Sequence, residues 1–149
     1  MDVLSILEND EYSKNFQLFC KKENNEENIL FLADVRKYKK IKSFKRKVKY
    51  ARMIEKKYLK PTSPRELNLS PKDIKPLTKV LSSKKINRNV LDENFFELIE
   101  NKIKYLLHDV FARYSMTDQY KKDNNNFLKK KRKRKLEHRL SSELSLNDL

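Results

Sequence analysis

The side chains able to make and break bonds are few in this chain, and they do not gather. Two histidines, His108 and His138, stand with no cysteine or carboxylate grouping at metal-ligand spacing and with no nucleophile motif nearby. His108 beside Asp109 reads as a helix-terminal pair rather than as half of a triad. The one cysteine, Cys20, lies within the apolar cluster of Phe16 and Phe19 and reads as a small buried thiol, so no disulfide can form within the chain. Glycine is absent altogether. That excludes phosphate-cradling loops of the P-loop and dinucleotide-binding kinds, which need backbone conformations that glycine supplies. The pattern argues against an enzyme and calls for no metal and no cofactor. The polar residues that do stand out are spread over three loops, Glu27 with Asn28, then Asn68, then Asp109 with Arg113.

The elements that must position these residues read as helices. Residues 3 to 20 suggest two short helical pieces joined by the polar turn Glu8-Asn9-Asp10-Glu11. Asn25 is placed to cap the next helix, whose first-turn acids Glu26 and Glu27 meet the positive end of the dipole. Its apolar face follows at Leu32, Val35 and Tyr38. Ser43 is expected to cap a long helix with Phe44, Val48, Ala51, Ile54 and Tyr58 on one stripe. Pro61 and Pro64 end it, and Arg65 to Leu69 should run extended across the surface. Ser70-Pro71-Lys72-Asp73 reopens a helix that Pro76 should shorten or kink. Lys84 to Asn89 reads as a polar link. Asp92 is expected to cap a helix bearing Phe96, Ile99, Ile103, Leu106 and Leu107. A last helix carries Val110, Phe111 and Tyr114 and fades into a linker at Lys121 to Asn126. No stretch reads as a strand, so the expected class is all-α.

The segment Phe16-Gln17-Leu18-Phe19-Cys20-Lys21-Lys22-Glu23, running into Glu26-Glu27-Asn28-Ile29 and Phe31, resembles the regulator of G-protein signalling (RGS) homology domain. Three further blocks follow in the family's order, and the likeness spans about residues 4 to 120. It implies a bundle of about eight or nine helices, with residues 1–122 forming the domain and 123–149 a basic polar tail. It also implies a Gα-binding set of Glu27, Asn28, Asn68, Leu106, Asp109 and Arg113, and a GTPase-activating function on a heterotrimeric Gα subunit with no catalytic residue of its own. The chain departs from the family pattern at Leu32, where tryptophan is usual, at Ser70, where an acid is common, and in the block before Asp109, which is one residue short.

The charge balance is 36 basic against 21 acidic residues, a net of +15. Between Arg36 and Lys60 stand 13 Lys or Arg and one acid, Glu55, and Lys129 to Lys135 is an unbroken basic run. An acidic-surface set of Lys39, Lys40, Lys45, Arg46, Lys130, Arg132 and Arg134 follows, with an anionic membrane as its partner. The competing reading is a basic helical adaptor for nucleic acid or acidic membrane, with the RGS-like fold as scaffold. Against nucleic acid stand the lack of aromatic interleaving in the basic run and of a helix-turn-helix pattern. The N-terminus lacks the basic and apolar regions of a signal peptide, and nowhere do eighteen apolar residues run together. A cytoplasmic monomer is therefore expected, at the inner face of the plasma membrane or, through the basic tail, imported into the nucleus.

Overall fold

In a chain with no glycine, each helix must stop on some other residue. The second helix ends on Asn24, which takes the left-handed conformation (φ 58°) that a short polar side chain tolerates best after glycine. The N–H of Asn24 then reaches the Lys21 carbonyl at 3.2 Å and that of Asn25 the Cys20 carbonyl at 2.7 Å, the paired bonds of a Schellman ending. Asn25 is indeed the residue before the third helix. Its side chain makes no cap bond, however, and Nδ2 donates back to the Glu23 carbonyl at 3.0 Å.

This computed structural model describes residues 1–148, which form helices and turns with no strand among them. In order they are α1 (Val3–Glu8), α2 (Asp10–Lys22), α3 (Glu26–Lys40), α4 (Phe44–Ile54), a π-helical turn continuing it (Glu55–Leu59), α5 (Pro71–Leu81), α6 (Glu97–Tyr114) and α7 (Asp118–Asn147). The all-α class is as expected, but the helices of the described residues are slightly fewer than the eight or nine anticipated. The helix expected after Asp92 is present but starts later. The Asp92 carboxylate accepts the Asn94 N–H at 2.9 Å in an Asx-turn, so residues 84 to 96 stay in turns and α6 opens only at Glu97. The count is lower because Val110, Phe111 and Tyr114 complete α6 rather than starting a further helix.

The polar stretch expected as a linker, Lys121 to Asn126, is helical and lies within α7. Thr117 caps that helix, its hydroxyl accepting the Tyr120 N–H at 3.2 Å. Asp123 is buried there and accepts from Asn15 (2.9 Å), Gln119 (3.0 Å) and the Tyr114 hydroxyl (3.4 Å). The N-terminal ammonium donates to Asn124 at 2.9 Å, and the Tyr120 hydroxyl donates to the Met1 carbonyl at 2.7 Å. A linker needs side chains that water satisfies, whereas these are satisfied by protein.

The helices divide into two compact units, Met1–Phe16 with Val110 onward, and Gln17–Asp109. The first is built on Phe16, whose ring lies 5.2 Å from that of Tyr114 and 5.7 Å from that of Phe111. The second has its core along α3, the π-helical turn and the approach to α6, where Phe31, Tyr38, Tyr58 and Phe96 are fully buried. Edge-to-face contacts join Phe31 to Tyr58 (5.5 Å) and Tyr38 to Phe96 (5.1 Å). Cys20 is buried and forms no disulfide.

Within the second unit a buried carboxylate, Asp34 of α3, accepts from the Tyr58 hydroxyl (2.5 Å), Lys57 Nζ (3.0 Å) and the Tyr50 hydroxyl (3.2 Å). Burial by itself pushes this carboxyl up, but the donors and the Lys57 charge together hold it below the usual range. The same contacts and burial push Tyr50 up to about 12 and Tyr58 well above the usual phenol range. Tyr58→Phe should lower stability by about 1–3 kcal/mol in urea denaturation, the cost of leaving a buried acceptor short of a donor. A carboxyl depressed in the folded state stabilises fully above its unfolded value near 3.8, and that contribution is lost as pH falls through the lower folded value. Wild type should therefore lose stability more steeply than Asp34→Asn below about pH 4. Parallel curves would show that the network carries no net charge-dependent stability.

Candidate functional site

The π-helical turn supplies what the chain after it needs. The last carbonyls of a helix have no intrahelical partner. Here the Lys57 carbonyl accepts the Arg65 N–H at 3.0 Å and the Tyr58 carbonyl the Leu67 N–H at 2.9 Å. Leu67 is thereby drawn into the core at 3% exposure. The Leu69 N–H reaches back to the Leu67 carbonyl at 3.0 Å, a three-residue turn with Asn68 at its apex. Asn68 is exposed, and its backbone is held on both sides.

Asn68 lines a cleft of about 430 Å³ with Leu69, Ser70 and Asp73 on one wall and Leu98, Asn101, Lys102, Tyr105 and Leu106 of α6 on the other. The α6 residues share one side of that helix, at spacings of three and four, beside the stripe Ile99, Ile103 and Leu107 that faces the core. Leu98, Tyr105 and Leu106 are exposed, Tyr105 at 75%. The only charges in the lining are opposite and paired, Lys102 Nζ lying 2.5 Å from Asp73. Among the described residues, no group of three or more His, Cys, Asp or Glu is placed to hold a metal. An apolar wall with a few hydrogen-bonding amides suits docking to another surface.

Of the residues singled out from the sequence, Asn68 and Leu106 meet in this cleft. Glu27 is half-buried in the first turn of α3, and Asn28, beside it, is buried at 5% exposure. The entrance of α3 is tied to the Asn68 segment by Glu26, whose carboxylate lies 3.3 Å from the Arg65 guanidinium. Asp109 and Arg113 are exposed further along α6, outside the cleft lining. The residues missed were Leu98 and Tyr105. Their trace in the sequence is an apolar pair seven residues apart, displaced from the core stripe of the same helix.

The basic set is distributed unevenly. Lys39 is paired with Glu100 at 2.9 Å and Lys130 with Glu11 at 2.6 Å, whereas Lys45 lines one groove and Lys40 and Arg46 another. Arg132 and Arg134 are exposed on α7.

Residues 2–122, most of the chain, match the family model of the regulator of G protein signaling domain. No curated protein matches the chain.

If Leu67 anchors the cleft and Tyr105 only faces it, the two should respond oppositely to truncation. Leu67→Ala should cost about 2–5 kcal/mol of stability, as for other buried leucines. Tyr105→Ala should stay within about 0.5 kcal/mol, as surface changes do. Thermal unfolding of both variants checks this, and a large loss at Tyr105 would make it part of the core.

Proposed function

Because the chain belongs to the regulator of G protein signaling family, we propose that the cleft beside Asn68 receives the switch regions of a Gα subunit and accelerates its GTP hydrolysis. The observation that carries the reading is the presentation of Asn68, an exposed amide on a fixed backbone above an apolar wall of Leu98, Tyr105 and Leu106. The reacting groups belong to Gα, which supplies an arginine in cis and a glutamine that orients water. This domain binds the switches more tightly in their transition-state arrangement than in the ground state, and each 1.4 kcal/mol or so of that difference gives about tenfold in rate. The Asn68 amide, donor and acceptor at once, can hold switch backbone or the glutamine side chain. Glu27 and Asp109 serve the margins of the interface. Asn28 supports the α3 entrance from within.

Single-turnover GTP hydrolysis on Gα subunits tests this, with binding compared across the GDP, GDP-aluminium fluoride and GTP-analogue forms. Acceleration is expected together with preference for the aluminium fluoride form. Asn68→Ala should weaken activation by about 1–3 kcal/mol, roughly 5- to 150-fold. A folded, monomeric domain that accelerates no Gα overturns the assignment.

A second reading, attachment to anionic membrane, is favoured by α7. No helix of the described residues is long and apolar enough to cross a membrane. Past Lys129, however, α7 is exposed throughout its described length, with Leu136, Leu140 and Leu144 four residues apart beyond the basic run. A basic helix with an apolar line suits lying in a lipid interface, where each cation near the surface contributes about 1 kcal/mol. Sedimentation with phosphatidylserine vesicles should show binding that falls with added salt and with deletion of residues 129–149. Equal binding to neutral vesicles, or none at low salt, overturns it.

A further inference from the structure

Apart from the cleft, the second unit carries a groove of about 1150 Å³ between α4 and the link after α5. Its apolar members are Phe44, Val48 and Ile86, all half-buried. Its charged members are Lys45, Lys49, Arg52, Lys84, Lys85 and Arg88, with no carboxylate among the lining residues. Two of these cations build the groove. The Arg52 guanidinium donates to the carbonyls of Leu81 (3.3 Å) and Ser83 (3.2 Å), pinning the link to α4, and Arg88 lies 4.9 Å over the Phe44 ring. Neither contact neutralises a charge. The four lysines are exposed around them.

Six like charges around one concavity repel each other, so an occupant carrying negative charge is favoured. Size and floor narrow the choice. The groove exceeds the roughly 300–1,000 Å³ of ordinary small-molecule sites. A compact polyphosphate would also leave Phe44, Val48 and Ile86 wet, forgoing the burial of that apolar surface. A ligand with an apolar side and flanking carboxylates satisfies both parts, as when an amphipathic helix lies in a groove.

We propose that this groove docks an acidic amphipathic helix of a protein partner, its apolar residues on Phe44, Val48 and Ile86 and its carboxylates against Lys45, Lys49, Lys84, Lys85 and Arg88. The groove shares no lining residue with the Asn68 cleft. The inference therefore stands independently of the Gα reading.

The test is fluorescence anisotropy on the full chain, using a short labelled helical peptide with leucines at i, i+3, i+4 and i+7 and glutamates elsewhere. Saturable binding is expected, weakening with salt. The double variant Lys49→Glu, Lys84→Glu should reduce affinity about tenfold or more. Ile86→Ser should reduce it about fivefold or more. Both variants change exposed or half-buried positions and should keep the wild-type circular dichroism. Equal binding of a peptide with serines in place of the leucines overturns the proposal, as does the absence of binding at low salt. Inositol hexakisphosphate or phosphatidylserine vesicles that bind with a loss in the lysine variant, while the leucine peptide is indifferent to Ile86→Ser, would reassign the groove to plain polyanions.

Discussion

The contact on which the candidate site depends is the one between Asp34 and the π-helical turn. A buried carboxylate left alone would be expensive, so Asp34 holds Tyr58 and Lys57 in place as much as they hold it. Those same two residues offer their carbonyls to Leu67 and Arg65. One network therefore runs from the α3 carboxylate through the widened turn to the backbone that leads into Asn68. The extra residue that a π-turn takes up lets the last carbonyls of the helix meet an incoming strand-like segment rather than water. Removing a donor at Tyr58 would loosen a surface amide ten residues later.

The lack of glycine sharpens this dependence. Thr62, between Pro61 and Ser63, holds φ at 62°, a conformation that a β-branched residue takes at a cost of about 1–3 kcal/mol. It persists because the surrounding bonds over-determine it. The Ser63 N–H reaches the Lys60 carbonyl at 3.1 Å, the Lys60 N–H reaches the Ser63 hydroxyl at 3.1 Å, and the chain beyond is held at Arg65 and Leu67. Strain thus sits at the one loop that presents Asn68, while the Asn24 turn, placed before α3, uses a residue suited to it.

Much of the fold was legible because capping and periodicity are local. Ser43 caps α4, its hydroxyl accepting from the Arg46 N–H, and Ala51, Ile54 and Tyr58 lie on the buried stripe their spacing implies. What failed was non-local. Asp92 has the chemistry of a helix cap, but its carbonyl is taken by the Tyr38 hydroxyl at 2.6 Å from 54 residues away, and the chain there stays in turns. The asparagines after Lys122 have linker composition, but Asn124 and Asp123 find partners at Met1 and Asn15, more than a hundred residues distant. At the site, Asn68 was readable from the family's block order. On the opposite wall Leu106 was readable in the same way, but Leu98 and Tyr105 were not, because they stand outside both the family's blocks and the Ile99, Ile103 and Leu107 stripe that fills the core.

Charge separates the surfaces of this protein by what each can select. The Asn68 cleft is locally neutral, since Asp73 and Lys102 cancel, so what it offers another surface is shape, apolar area and amide hydrogen bonds. Surfaces of that kind favour one conformation of whatever docks on them, because small displacements break hydrogen bonds and contacts that act over short distances. The Phe44 groove and the exposed reach of α7 carry much of the uncompensated positive charge, and charge attraction acts over about 10 Å before salt screens it. Charge of that reach favours encounter rate and neighbourhood over the choice of a conformation. With no net charge in the cleft lining, attraction to an acidic surface within the second unit falls to the Phe44 groove and not to the cleft.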